Sequence, residues 1–195
     1  MTEKQIANEI DRYFKQNGAD DLAFETIVAS GENSSKPHSI VTNRKIVSGD
    51  VILLDFGCKC NGYCSDMTRT IFVDKIAEEV KNVYDLVLRN QTNFINGAKE
   101  NANLKTLRRM VENDCRMYRY DLIHALGHGV GMEVHELPFL SSRKDNMLKE
   151  NMVIAVEPGI YIPGKYGIRI EDTVLITKNG CINLNNSEKN YIIIS

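Results

Sequence analysis

A chain of 195 residues with 43% hydrophobic and 26% charged content is enough to build one domain with a full core. Its formal net charge of −2 offers no basic footprint for nucleic acid, and no run approaches the roughly eighteen uncharged apolar residues needed to cross a bilayer. The opening Met1-Thr2-Glu3-Lys4 has no apolar run of the secretion type, so the expectation is a soluble cytoplasmic protein without nucleic-acid or membrane partners.

Thr2 and Gln5 form a capping-box pair, Ile6, Ile10 and Phe14 recur every four residues, and Gly18 supplies a stop. That pattern predicts a helix over residues 3–17. Residues 24–29 read as a strand, and 31–39 as a polar loop carrying Pro37-His38. Residues 50–57 and 62–73 read as a hairpin turning at Asn61-Gly62, a dipeptide suited to two-residue turns. A helix is expected over about 77–96, where Val80, Val83, Tyr84, Val87, Leu88 and Phe94 share one side, and another over about 103–118. Arg108, Arg109, Arg116 and Arg119, the densest basic stretch, are read as a solvated face of that second helix. A glycine-rich run, Gly127-His128-Gly129-Val130-Gly131, then leads into strands near 152–157, 167–177 and 190–194.

The order of elements repeats, which predicts an α+β fold of two pseudo-equivalent halves, with curved antiparallel sheet inside and helices outside. Two long helices precede the second set of strands and one the first, so by this symmetry a helix is expected before Met1. The repeat extends to chemistry. Val51-Ile52-Leu53-Leu54-Asp55-Phe56-Gly57 can be laid over Met152-Val153-Ile154-Ala155-Val156-Glu157-Pro158-Gly159, each an apolar run closing on an acid and a glycine. Asp66 follows 11 residues after Asp55, and Glu171 follows 14 after Glu157. Most acids are solvated, but an acid that ends such an apolar strand is carried inside, where an unpaired carboxylate is costly. A cation is the natural compensation. Cys58, Cys60 and Cys64 crowd the intervening loop without a common zinc spacing and are read as reduced thiols.

The four histidines stand in distinctive settings: His38 after Pro37, His124 four before His128, His128 between glycines, and His135 before Glu136. Glycines beside His128 permit the close backbone approach that a metal-facing imidazole needs. A helical HExxH reading of His124 and His128 fails, because Gly127 and Gly129 break the helix and Ala125 stands where the glutamate would be.

With Phe24-Glu25-Thr26-Ile27-Val28-Ala29-Ser30-Gly31, Pro37-His38, Asp55-Phe56-Gly57, Gly62-Tyr63-Cys64-Ser65-Asp66-Met67-Thr68-Arg69-Thr70, Gly127-His128-Gly129-Val130-Gly131, Val134-His135-Glu136, Glu157-Pro158-Gly159 and Gly167-Ile168-Arg169-Ile170-Glu171-Asp172-Thr173 in that order, the chain resembles the catalytic domain of Xaa-Pro peptidases. These are the proline dipeptidase and aminopeptidase P members of the pita-bread metallopeptidases. The resemblance covers nearly the whole chain, and it implies a dinuclear metal site. Asp55 would chelate one ion, His128 and Glu157 the other, and Asp66 and Glu171 would bridge both. It further implies His38, His135 and Glu157 as catalytic groups, with Glu157 as proton shuttle, and His124 and Arg169 as substrate-binding groups. Four carboxylates and one imidazole suit Mn²⁺, with Co²⁺, Fe²⁺ or Zn²⁺ compatible. Two cations about 3.5–4 Å apart would share and acidify a water. The substrates implied are proline-containing peptides, cleaved at an Xaa-Pro bond that general peptidases handle poorly because it lacks an N–H.

Methionine aminopeptidase, of the same fold and ligand types, is the alternative; the 14-residue gap between the two glutamates and Arg169 favour the proline-specific branch. A non-catalytic peptide- or protein-binding member of the fold is the other alternative, disfavoured because all the ligand types are present. Residues 1–195 are accordingly expected to be a catalytic domain without its first helix or the relatives' N-terminal domain. An apolar stripe left open beside residues 24–28 and the first helix is expected to favour a homo-oligomer.

Overall fold

The computed structural model of the protein describes residues 1–141 and 146–195. Helix α1 (Glu3–Gln16) begins at a complete capping box, Thr2 and Gln5 each bonding the other's backbone. Strands β1 (Asp21–Leu22) and β2 (Ile27–Ser30) follow, then a 3-10 turn at Gly31–Ser35. The expected hairpin is interrupted. β3 (Val51–Phe56) pairs with β6 (Met67–Val73), while β4 (Cys58–Cys60) and β5 (Tyr63–Cys64) form its tip. Asn61 (φ 51°) and Gly62 (φ 82°) make the turn, both in the left-handed region that a two-residue hairpin of this type demands.

Helices α2 (Glu78–Gly97) and α3 (Leu104–Met117) fall within one residue of expectation. Val80, Val83, Val87 and Phe94 of α2 pack with Leu107 and Val111 of α3 over the second half of the sheet. Arg108 is no part of a solvated face. It is 8% exposed, because its Nε donates to Glu112 and its Nη1 to the carbonyls of His124 and Leu140. The last strands are β7 (Gly127–Gly129), β8 (Val153–Val156), β9 (Gly159–Ile162), β10 (Tyr166–Arg169), β11 (Asp172–Ile176), β12 (Cys181–Asn183) and β13 (Ile193–Ile194). The single strand expected over 167–177 is therefore two, broken at Ile170-Glu171.

Two four-stranded sheets carry the pseudo-symmetry, one in the order β13-β6-β3-β2 and the other β12-β11-β8-β7. Each centres on an antiparallel pair, β3 with β6 or β8 with β11, with an acid, Asp55 or Glu157, within one residue of the first strand's end. α1 covers the first sheet by seating Ala7 on Val28 and Ile52. Arg69 of β6 joins the halves. Its Nη1 donates to the Glu171 carbonyl (2.6 Å) and its Nη2 to Asp172 Oδ1 (2.7 Å), while Nε and Nη2 also hold the carbonyls of Glu188 and Ser187. Lys189, Gln91 and Asn183 also donate to Asp172, which is fully buried. A buried carboxylate so surrounded keeps its charge: burial pushes its pKa up, but Lys189 and Arg69 outweigh that and hold it below the ordinary range.

Candidate metal centre

The sheets bring Asp55, Asp66, His128, Glu157 and Glu171 to one wall of a cleft of about 510 Å³, which His38, His124, His135 and Arg169 also line. Each acid stands at a strand end or break: Asp55 near the end of β3, Asp66 just before β6, Glu157 just after β8, and Glu171 between β10 and β11. His128 reaches the wall because β7 lies hard against its neighbours. A Cβ on Gly127 would sit 1.9 Å from the Ala155 carbonyl oxygen, and one on Gly129 would sit 2.4 Å from that of Leu137. Only glycine tolerates both approaches.

Ligand-type atoms of Asp66, His128 and Glu171 lie within 4.8 Å of one another, and all three residues are buried. His128 Nδ1 is 3.0 Å from the Gly129 carbonyl, which can only accept, so Nδ1 carries the proton and Nε2 bears a lone pair. That lone pair faces Asp66 Oδ2 at 3.5 Å and Glu157 Oε1 at 3.7 Å. Acceptors meeting acceptors call for a cation or a proton between them. Asp55 Oδ1 is likewise buried with no hydrogen-bond partner among the described residues, while its Oδ2 takes the Arg169 guanidinium at 2.6 Å. Four carboxylates thus share one neighbouring arginine among the described residues, and without metal Asp66, Glu157 and Glu171 resist ionisation. Burial, then Asp55 and Glu157, push Asp66 up to about 8; burial and Asp55 push Glu157 to about 7 against Arg169; Glu171 is raised well above its usual value by burial and the same acids. His128 is pushed down by burial, which favours the neutral ligand form. The donor set fits hard divalent cations with a tolerance for nitrogen.

From Arg169, beside the carboxylates, a chain of hydrogen bonds orients the other polar groups of the cleft. Arg169 Nη1 donates to the Tyr161 hydroxyl (2.6 Å) and to the Pro37 carbonyl (3.2 Å). Tyr161 lies 3.0 Å from His124 Nε2, and His124 Nδ1 lies 2.6 Å from the Ala125 carbonyl, so the tyrosine donates to a neutral imidazole. Burial pushes His124 down to about 4 and Tyr161 up to about 12, which keeps both uncharged at neutral pH. His38 and His135 remain exposed to the cleft, the His135 ring centroid 4.3 Å from that of His128. Residues 124–128 enter a strand rather than a helix, in keeping with the rejected HExxH reading.

Tyr161 and Thr68 were not among the residues singled out from sequence. Thr68 Oγ1 donates to Glu171 Oε2 (2.6 Å) and accepts from Arg169 Nε (3.1 Å), so one hydroxyl fixes both. A signal existed for Thr68, which stands opposite Asp55 in the β3–β6 register and so on its face. Tyr161 gave none, since β9 was not expected. The cysteines supply none of the clustered ligand-type atoms among the described residues.

The sequence model of metallopeptidase family M24 matches residues 1–178. The chain belongs to that family. Among the M24 relatives, the Xaa-Pro dipeptidase of Pyrococcus furiosus is 42% identical over 97% of this chain and 55% of its own length. The crystal structure of X-Pro aminopeptidase from Thermotoga maritima superposes with a TM-score of 0.97 at 40% identity, covering 100% of this chain and 56% of that one. Xaa-Pro dipeptidase from Bacillus anthracis gives a TM-score of 0.97 at 38% identity, over 100% and 55% of the two chains. The fold is the pita-bread architecture of M24, and the chain spans about half the length of the curated relatives it matches.

Proposed function

We propose that residues 1–195 serve as a catalytic domain that hydrolyses Xaa-Pro bonds in peptides or dipeptides, with two divalent cations, Mn²⁺ foremost, held by Asp55, Asp66, His128, Glu157 and Glu171. The observation that carries this reading is the meeting of metal-ligand atoms at one point: His128 Nε2 facing Asp66 and Glu157, with Asp55 Oδ1 buried and unpaired among the described residues. The names of the relatives support the proline preference. When bound, such cations polarise a peptide carbonyl and acidify a water. The chain's own groups do the rest. Glu157, at the cleft wall beside His128 and Arg169, takes and returns the proton. His38 and His135, open to the cleft, meet the scissile carbonyl and its developing oxyanion. Arg169 and His124, locked through Tyr161, hold the peptide.

Metal analysis combined with hydrolysis assays on Xaa-Pro, Xaa-Pro-Yaa and Met-Yaa peptides tests this reading. Two ions per chain and cleavage confined to the proline substrates are expected. Purification from Mn²⁺ without bound metal would sink it in favour of a binding module, and preferential release of methionine would favour the aminopeptidase alternative.

A further inference from the structure

Glu3 opens α1, where a carboxylate ordinarily faces solvent and complements the helix dipole, yet this one is 0% exposed. Its Oε1 accepts from Ser30 N (2.7 Å) and Ser30 Oγ (2.8 Å). Its Oε2 accepts from Asn33 Nδ2 (3.0 Å), Thr42 N (2.9 Å) and Thr42 Oγ1 (2.6 Å). The donors come from the two ends and the interior of one loop, residues 30–42. Beyond its 3-10 turn that loop has no strand partners among the described residues, and Asn33 continues the tie inward by donating to the Ile40 carbonyl (3.1 Å) and accepting from Ser39. The loop is what delivers His38 to the cleft and the Pro37 carbonyl to Arg169.

We propose that Glu3 is a positioning residue for the active site: by gathering both ends of the 30–42 loop it sets His38 over the metal-facing wall and holds Arg169 through Pro37. The proposal rests on the reading of His38 and Arg169 given above. The demand on this position is specific. Each carboxylate oxygen takes a backbone N–H that cannot rotate away, so a glutamine, in either amide orientation, turns an NH₂ donor onto a donor. Burial pushes the Glu3 carboxyl up, but hydrogen bonds from Thr42 and Ser30 outweigh it and hold the group below the ordinary range, as a five-fold acceptor requires.

Three variants separate positioning from bulk stability: Glu3→Gln, Thr42→Val, which removes one donor and keeps the backbone, and Val111→Ala, a fully buried α3 position in the core cluster under α2 and α3, not the one that Val41 of the loop packs against. Xaa-Pro hydrolysis is measured well below each melting temperature, with Mn²⁺ stoichiometry and amide hydrogen exchange of residues 30–42 alongside. Glu3→Gln should lower kcat by about tenfold or more at unchanged metal content, as expected for misplacement of a catalytic group. Thr42→Val should act less in the same direction, and Val111→Ala should lose stability without losing kcat. The loop amides should exchange faster only in the first two. Parental kcat and loop exchange in Thr42→Val and in a folded Glu3→Gln would overturn the proposal, as would an equal kcat loss in Val111→Ala. If the parent, fully loaded with Mn²⁺, fails to cleave Xaa-Pro bonds, the functional reading falls, and exchange of the loop amides alone decides the role of Glu3: unchanged exchange in both variants overturns it.

Discussion

Replacing Arg69 by methionine keeps most of the side-chain volume and deletes the guanidinium that ties the halves of the molecule together. Asp172, with a side chain 0% exposed, would retain Lys189 at 2.7 Å as its ionic partner among the described residues. Breaking a buried pair costs about 3–5 kcal/mol, and the surviving lysine places this case near about 3 kcal/mol. That is a factor of roughly 150 in the folding equilibrium. The carbonyls of Glu171, Ser187 and Glu188 also lose a donor, so the change should loosen Glu171 and weaken metal binding. The chain has no tryptophan, so far-UV circular dichroism in urea on metal-free protein is the suitable assay, with a midpoint lowered by roughly 1–2 M. A loss under about 1 kcal/mol would refute the argument, because it would mean that Asp172 does not need its arginine.

Glu157→Gln should abolish most turnover while leaving the metal-free fold as stable as the parent or more so, since it removes a buried, repelled charge; calorimetry and single-turnover kinetics check it, and marked destabilisation would contradict it. His135→Ala should lower kcat at unchanged Mn²⁺ content, because the exposed ring lies outside the ligand set; full activity would remove it from the catalytic groups. Without metal, Asp66, Glu157 and Glu171 all have raised pKa values, so the folded state holds protons that the unfolded chain releases. The contribution of Asp66 and Glu157 is therefore full below about pH 4 and lost as the pH rises through about 7 to about 8, so melts in chelator should fall in temperature across that window. Added Mn²⁺ should restore stability at the upper end, and a chelated protein that stabilises with rising pH would refute the assignment.

The helices were legible because their signals are local: α2 and α3 each fell within a residue of the periodic pattern, and α1 started at its capping box. The paired acids were legible because each closes an apolar run. Short strands were not. β1, β7, β9 and β12 have two to four residues, too few for alternation to show, and they owe their pairing to distant partners. The break at Ile170-Glu171 was missed because the run reads as one strand, whereas β10 pairs with β9 and β11 with β8. Arg108 was misread because its partners, the carbonyls of His124 and Leu140, belong to irregular segments that periodicity does not describe.

The division of the cleft wall between two antiparallel pairs has a consequence for the order in which the molecule assembles. β3 with β6, and β8 with β11, each close within a short stretch of chain. The bonds that join them, Thr68 to Glu171, Arg69 to Glu171 and Thr70 to Arg169, span 103, 102 and 99 residues. Closing such loops costs more chain entropy than closing a hairpin, so these ties form once the halves already exist. A divalent ion bound at this wall would therefore meet a nearly finished fold and fasten it, a late lock instead of a template around which the chain gathers.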